Sequence, residues 1–85
     1  MNIEELVANH PLHGLLSEVV YLARDEWEYV YEIIQEQENY FDFNKPEDFT
    51  ECLKYFIEDK IDDLVDDKEI TKKQAKEFLK QLNKK

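Results

Sequence analysis

Glycine is almost missing from this sequence: Gly14 is the only one, and Pro11 and Pro46 are the only prolines. Turn-rich β-sandwiches and barrels depend on those residues for positive-φ and fixed-φ corners, so an all-β fold is excluded. Cysteine occurs once, at Cys52. That leaves no intrachain disulfide and points to a reducing compartment, the cytoplasm. No apolar run reaches the ~18–20 residues of a membrane span, and the first residues lack the basic-then-apolar order of a secretory signal. Basic residues are scarce as well: 11 Lys+Arg face 21 Asp+Glu, for a net charge of −10. Direct binding to nucleic acid or to an anionic membrane is therefore not expected, since both are polyanions.

What is present is apolar enough to fold. Hydrophobic residues make up 42% and aromatics 13% of the 85 residues, too much for a disordered acidic tail. The length is that of a single acidic helical domain over residues 1–85. Asn2 and Glu5 pair as helix N-cap and third residue ahead of Ile3, Leu6 and Val7, and Asn9-His10-Pro11 ends that short helix. Leu12, Leu15, Leu16, Val19, Leu22, Ala23, Trp27, Val30, Ile33 and Ile34 then recur at steps of three and four. They predict one long helix out to about Glu38. Its start is ambiguous, because Gly14 weakens the first turn and Ser17 offers a later cap.

Residues 39–45 break the pattern and read as a loop with anchoring aromatics. Asn44 and Glu47 form a second capping pair, with Pro46 in the first turn. Phe49, Cys52, Leu53, Phe56, Ile57, Ile61, Leu64 and Val65 predict a third helix to about Asp66. Thr71 with Gln74 caps a fourth, where Ile70 and Ala75 are placed as a hydrophobic staple and Ala75, Phe78, Leu79 and Leu82 face inward. The expectation is an all-α fold, a small antiparallel bundle of two long and two short helices. A chain this short buries only a little over ~60% of its unfolded surface, so a homodimer sharing the long helices is an alternative to a monomer.

The residues that carry chemistry in other proteins are poorly arranged for it here. His10 and His13 have no partners at zinc spacing, so no metal is expected and they read as packing around a helix junction. Cys52, on the apolar stripe between Phe49 and Phe56, reads as a small hydrophobe rather than a nucleophile. No Ser-His-Asp arrangement, glycine-rich phosphate loop or buried carboxylate pair stands out, so neither catalysis nor a cofactor is expected. The acidic run 62–71 fails as a calcium loop. Counted from Asp67, Lys72 stands where the turn needs glycine and Phe78 where it needs glutamate.

The informative surface is acidic. Glu18, Tyr21, Asp25, Glu28, Tyr29, Glu32 and Glu36 fall at three- and four-residue steps, off the apolar stripe of the long helix. The next helix repeats the composition with Glu51, Tyr55, Glu58, Asp59, Asp62 and Asp66. Like charges at these spacings repel by a few tenths of a kcal/mol per pair. A surface made only for solubility would intersperse lysines. Instead, residues 1–67 hold 19 acidic groups and four basic ones, a net −15, while residues 68–85 hold seven lysines and two glutamates, a net +5. Fifteen charges along a helix of ~24 residues, or ~36 Å, amount to about one per 2.4 Å, against one per ~1.7 Å of axis in duplex DNA.

This is the general character of immunity proteins of nuclease toxins, of antitoxins and of phage-encoded nuclease inhibitors, a similarity of composition and not of motif. The expectation is a non-enzymatic inhibitor, a DNA mimic whose acidic face occludes the basic, nucleic-acid-binding surface of a partner protein. Glu18, Tyr21, Asp25, Glu28, Tyr29, Glu32, Glu36, Glu51, Tyr55, Glu58, Asp59 and Asp62 are its contact residues. The alternative is a helical adaptor or regulatory subunit that docks through apolar surface around Trp27, Tyr31, Tyr40, Phe41 and Phe43. The terminal lysines Lys72, Lys73, Lys76, Lys80, Lys84 and Lys85, without arginine or an aromatic platform, make a weak nucleic-acid signal. They are read as relieving the repulsion of the acidic helices.

Overall fold

Asn2 opens the first helix, α1 (Ile3–Ala8), by accepting the Glu5 backbone N–H at 3.3 Å. The computed structural model describes residues 2–83, and every regular element among them is helical: α1, α2 (His13–Ala23), α3 (Trp27–Glu36) with a 3-10 turn over Gln37–Asn39, α4 (Pro46–Asp66) and α5 (Lys72–Leu82). None of these helices is long and apolar enough to cross a membrane. The architecture is thus five helices of varying length, not two long and two short.

The difference lies at residues 24–26, where the expected long helix is two. Arg24 takes the left-handed conformation (φ 59°, ψ 32°). Its N–H donates to the Tyr21 carbonyl at 3.1 Å, and the Asp25 N–H to the Val20 carbonyl at 3.2 Å, closing α2 in a Schellman motif. Glu26 is extended and α3 starts at Trp27. Packing explains the break. A straight helix over 12–38 would run ~40 Å, whereas the 21 residues of α4 offer only ~32 Å to lie against. Folded in two, the segment buries Leu15, Leu16, Val19 and Val20 from α2 and Val30 and Ile34 from α3. Both halves pack on α4.

The other boundaries follow the residues closely. α2 starts at His13, so Ser17 is not its cap, and Gly14 sits within its first turn. Pro46 occupies the first turn of α4, where its missing N–H costs nothing. Asn44 does not cap that helix. The N-cap is Lys45, without a side-chain bond, and Asp48 Oδ2 instead accepts the Asp42 N–H at 3.1 Å while Asp42 Oδ1 accepts that of Asn44 at 3.0 Å. A second Schellman closure ends α4. Lys68 (φ 61°) donates to Val65 at 3.0 Å and Glu69 to Leu64 at 2.9 Å. Thr71 and Gln74 then exchange both bonds of a capping box, at 2.9 and 3.1 Å, with Ile70 and Ala75 buried beside it.

α4 is the central element. It contributes seven buried residues, from Phe49 to Leu64, and packs against α2, α3 and α5. α1 lies on α3, with Ile3 and Val7 inward. α5 returns along α4, which brings Asn83 beside Glu51, Lys54, Tyr55 and Glu58. Phe43, Phe49, Phe56 and Phe78 are buried, and Trp27 and Phe41 half-buried against the same cluster.

Candidate functional site: the acidic, tyrosine-bearing surface of α3 and α4

The apolar stripe of each helix is turned to the core, so the acidic residues between are left outside. On α3, Glu28, Tyr29, Glu32 and Glu36 are all exposed, and Glu28, Glu32 and Glu36 succeed one another at four-residue steps. On α4, Glu51, Tyr55, Asp59, Asp62 and Asp66 form a second exposed row at steps of three and four, whereas Glu58 is half-buried on the side of Lys54 and Asn83. The two helices pack together, and cross-helix contacts fix where the rows meet. Lys60 Nζ on α4 lies 5.6 Å from the Tyr29 ring centroid on α3 and 5.8 Å from that of Phe56, both within cation–π range. Phe41, from the loop after α3, sits 5.9 Å from Tyr55. Tyr29 and Tyr55 keep 50% and 57% of their surface free.

Three expected members of this surface are placed differently. Asp25 is turned inward: its Oδ2 lies 2.7 Å from Lys60 Nζ, and each side chain keeps only 17% of its surface. That oxygen has no hydrogen-bond partner of good geometry, so the contact is a close charge pair without directional alignment. Asp25 is therefore the anion whose charge pair with Lys60 joins the α2–α3 turn to α4. Glu18 and Tyr21 are exposed, Tyr21 at 79%, but they lie on α2, across the turn at Arg24, and do not extend the α3 row. The residue that sequence reasoning missed is Lys60. No local signal ties it to an aspartate 35 positions away.

The aromatic group considered as an apolar dock is largely absorbed. Trp27 stacks on His13 at 5.8 Å and lies 5.6 Å from Tyr31, and Phe43 meets Phe49 edge-on at 5.0 Å. Burial and, next, the Glu4 carboxylate raise the Tyr31 hydroxyl above its ordinary value. Of the five, only Tyr40 is exposed.

No family model, curated protein or solved structure matches this chain.

The remaining chemistry-bearing groups are accounted for by packing. Cys52 is 1% exposed, and burial pushes its thiol up to about 11. His10 Nδ1 accepts the Leu12 N–H at 3.0 Å, so the ring proton sits on Nε2, which donates to Thr50 Oγ1 at 2.8 Å. His13 Nε2 is 3.4 Å from Ser17 Oγ. The two histidines thus point to different partners. Among the described residues, no group of three or more His, Cys, Asp or Glu is placed to hold a metal ion. Lys72, Lys73, Lys76 and Lys80 on α5 are exposed, and Lys60–Asp25 is the one ion pair among the described residues. Lys84 and Lys85 lie outside the described residues.

Proposed function

We propose that the chain is a non-enzymatic, cytoplasmic inhibitor that covers a basic, nucleic-acid-binding surface of a partner protein with the acidic surface of α3 and α4. The observation that carries this reading is the pair of acidic rows, without an ion pair among the described residues, flanking half-exposed tyrosines. Aromatic side chains anchor protein interfaces, and complementary charge accelerates docking. The density of charge suits a stand-in for a nucleic-acid backbone. The longest dimension of the molecule is 36 Å. Spread over it, the net −10 of the chain gives about one charge per 3.6 Å, about twice the ~1.7 Å spacing of duplex DNA.

The test reverses the α3 row with Glu28→Lys, Glu32→Lys and Glu36→Lys together, leaving Asp25 in its structural pair. Immobilised wild-type and variant chains are compared for what they retain from a cell extract at 0.1 and 0.5 M salt. A retained protein is then assayed for nucleic-acid binding with and without the chain. The expected result is a nucleic-acid-binding protein released by salt, lost with the triple variant and blocked by the wild type. Retention indifferent to salt and to the three charges sinks the reading. Loss of retention with Tyr40→Ala alone would instead mark an adaptor that docks through aromatic surface.

A further inference from the structure

The corner between α1 and α2 closes around one imidazole. Pro11 has no N–H, and the turn Asn9–Leu12 closes on side-chain and backbone bonds around His10. The His10 N–H donates to the Val7 carbonyl at 3.2 Å, its own carbonyl accepts the His13 N–H at 3.0 Å, and its ring Nδ1 accepts the Leu12 N–H at 3.0 Å. The far side of the ring reaches α4: Nε2 donates to Thr50 Oγ1 at 2.8 Å, and the ring meets Phe49 edge-on at 5.7 Å. His10, Leu12, Thr50 and Phe49 all line one groove of about 870 Å³, which Leu6, Phe43, Pro46 and Leu82 complete with apolar surface.

We propose that His10 is an acid-sensitive clasp: its neutral ring closes the α1–α2 turn through Nδ1, and protonation breaks that closure and loosens the turn beside the groove, while Nε2 keeps its bond to Thr50 on α4. The reason is geometric. A proton added to the imidazole must go to Nδ1, where it would face the Leu12 N–H, donor against donor, and the bond that closes the turn is lost. Among the described residues, the ionisable side chains lining the groove besides His10 are Glu5 on α1 and Lys54 on α4, one of each sign, while Leu82 of α5 and the following Asn83 add no charge. His13 on α2 is directed to Ser17 and Trp27. Burial already holds the His10 pKa below its ordinary 6.5, in agreement with a site that favours the neutral ring.

The sign follows from linkage. Because the folded-state pKa is depressed, the clasp contributes fully above about pH 6.5. Its contribution is lost as pH falls from there to the folded pKa, by up to about tenfold in the opening equilibrium per pH unit.

The experiment follows His10 ring resonances and Leu12 amide exchange by NMR between pH 7.5 and 5, in the wild type and in His10→Asn. Asparagine can accept the N–H two residues on as an Asx turn but does not titrate. In the wild type, His10 should titrate below 6.5 and Leu12 opening should rise below that pH. In His10→Asn, Leu12 opening should lose this component. The proposal fails if His10 titrates at or above 6.5, if Leu12 exchange is blind to its titration, or if His10→Asn keeps the same pH response. Were His10→Asn too unstable to compare, Thr50→Val serves instead. It removes the α4 tether, which the ring Nε2–H makes in both protonation states, so the acid response of Leu12 opening should persist; its disappearance would place the response at the Thr50 contact and overturn the clasp.

Discussion

At the scale of single residues, spacing placed side chains well where a helix carried them and poorly where a turn did. Cys52 illustrates the first case. Three residues after Phe49 and four before Phe56, it had to share their face, and it is buried with both. Its thiol, pushed up to about 11, is protonated almost completely at pH 8, where a free cysteine near 8.5 is partly thiolate. A disulfide-exchange reagent such as Ellman's should leave the native protein unlabelled at pH 8 over minutes and label it at once in 6 M guanidinium. Intermediate urea should raise the rate in step with the unfolded fraction. Rapid stoichiometric labelling in native buffer would mean that the α4 stripe is open. Asp25 illustrates the second case. Its i, i+4 relatives assign it to the outer row only if the helix is unbroken, and one left-handed residue before it turns it inward to Lys60.

At the scale of elements, α1, α4 and α5 were legible because each announces its start. Asn2, Pro46 and the Thr71–Gln74 box are chemical markers as well as pattern breaks. The split between α2 and α3 carries no such marker. With Gly14 the only glycine, both left-handed closures fall on charged residues, Arg24 and Lys68, and the apolar period runs through the first without losing phase: Ala23, Trp27, Val30 and Ile34 keep three- and four-residue steps. A left-handed L-residue costs roughly 1–2 kcal/mol that glycine avoids, less what glycine adds to the freedom of the unfolded chain. Arg24→Gly and Lys68→Gly should therefore each raise stability by about 0.5–1 kcal/mol. The gain is read as a higher urea midpoint at unchanged slope. A loss on Arg24→Gly would show that residues 23–27 prefer the unbroken helix.

At the scale of the molecule, charge is the property that fold alone does not explain. Glu28, Glu32 and Glu36 on α3, and Asp59, Asp62 and Asp66 on α4, repel along their own rows, and no lysine of α5 pairs with them among the described residues. Such repulsion costs a few tenths of a kcal/mol per neighbouring pair and fades as salt shortens the ~10 Å screening length of 0.1 M solution. Raising salt from 0.02 to 0.5 M should thus stabilise the wild type. Glu32→Lys places a cation four residues from two glutamates, so it should stabilise the chain by about 0.5–1 kcal/mol at low salt, and the difference should shrink at 0.5 M. Urea midpoints at the two salt concentrations decide this. Equal midpoints throughout would mean that solvent already screens the rows, and the acidic surface would then be no reservoir of electrostatic energy. A gain in stability has a consequence for function under the inhibitor reading. A substitution that relieves repulsion in the free chain removes the field that steers the chain onto its partner, so Glu32→Lys should be both more stable and slower to associate. A surface shaped only for solubility would gain the stability and lose nothing.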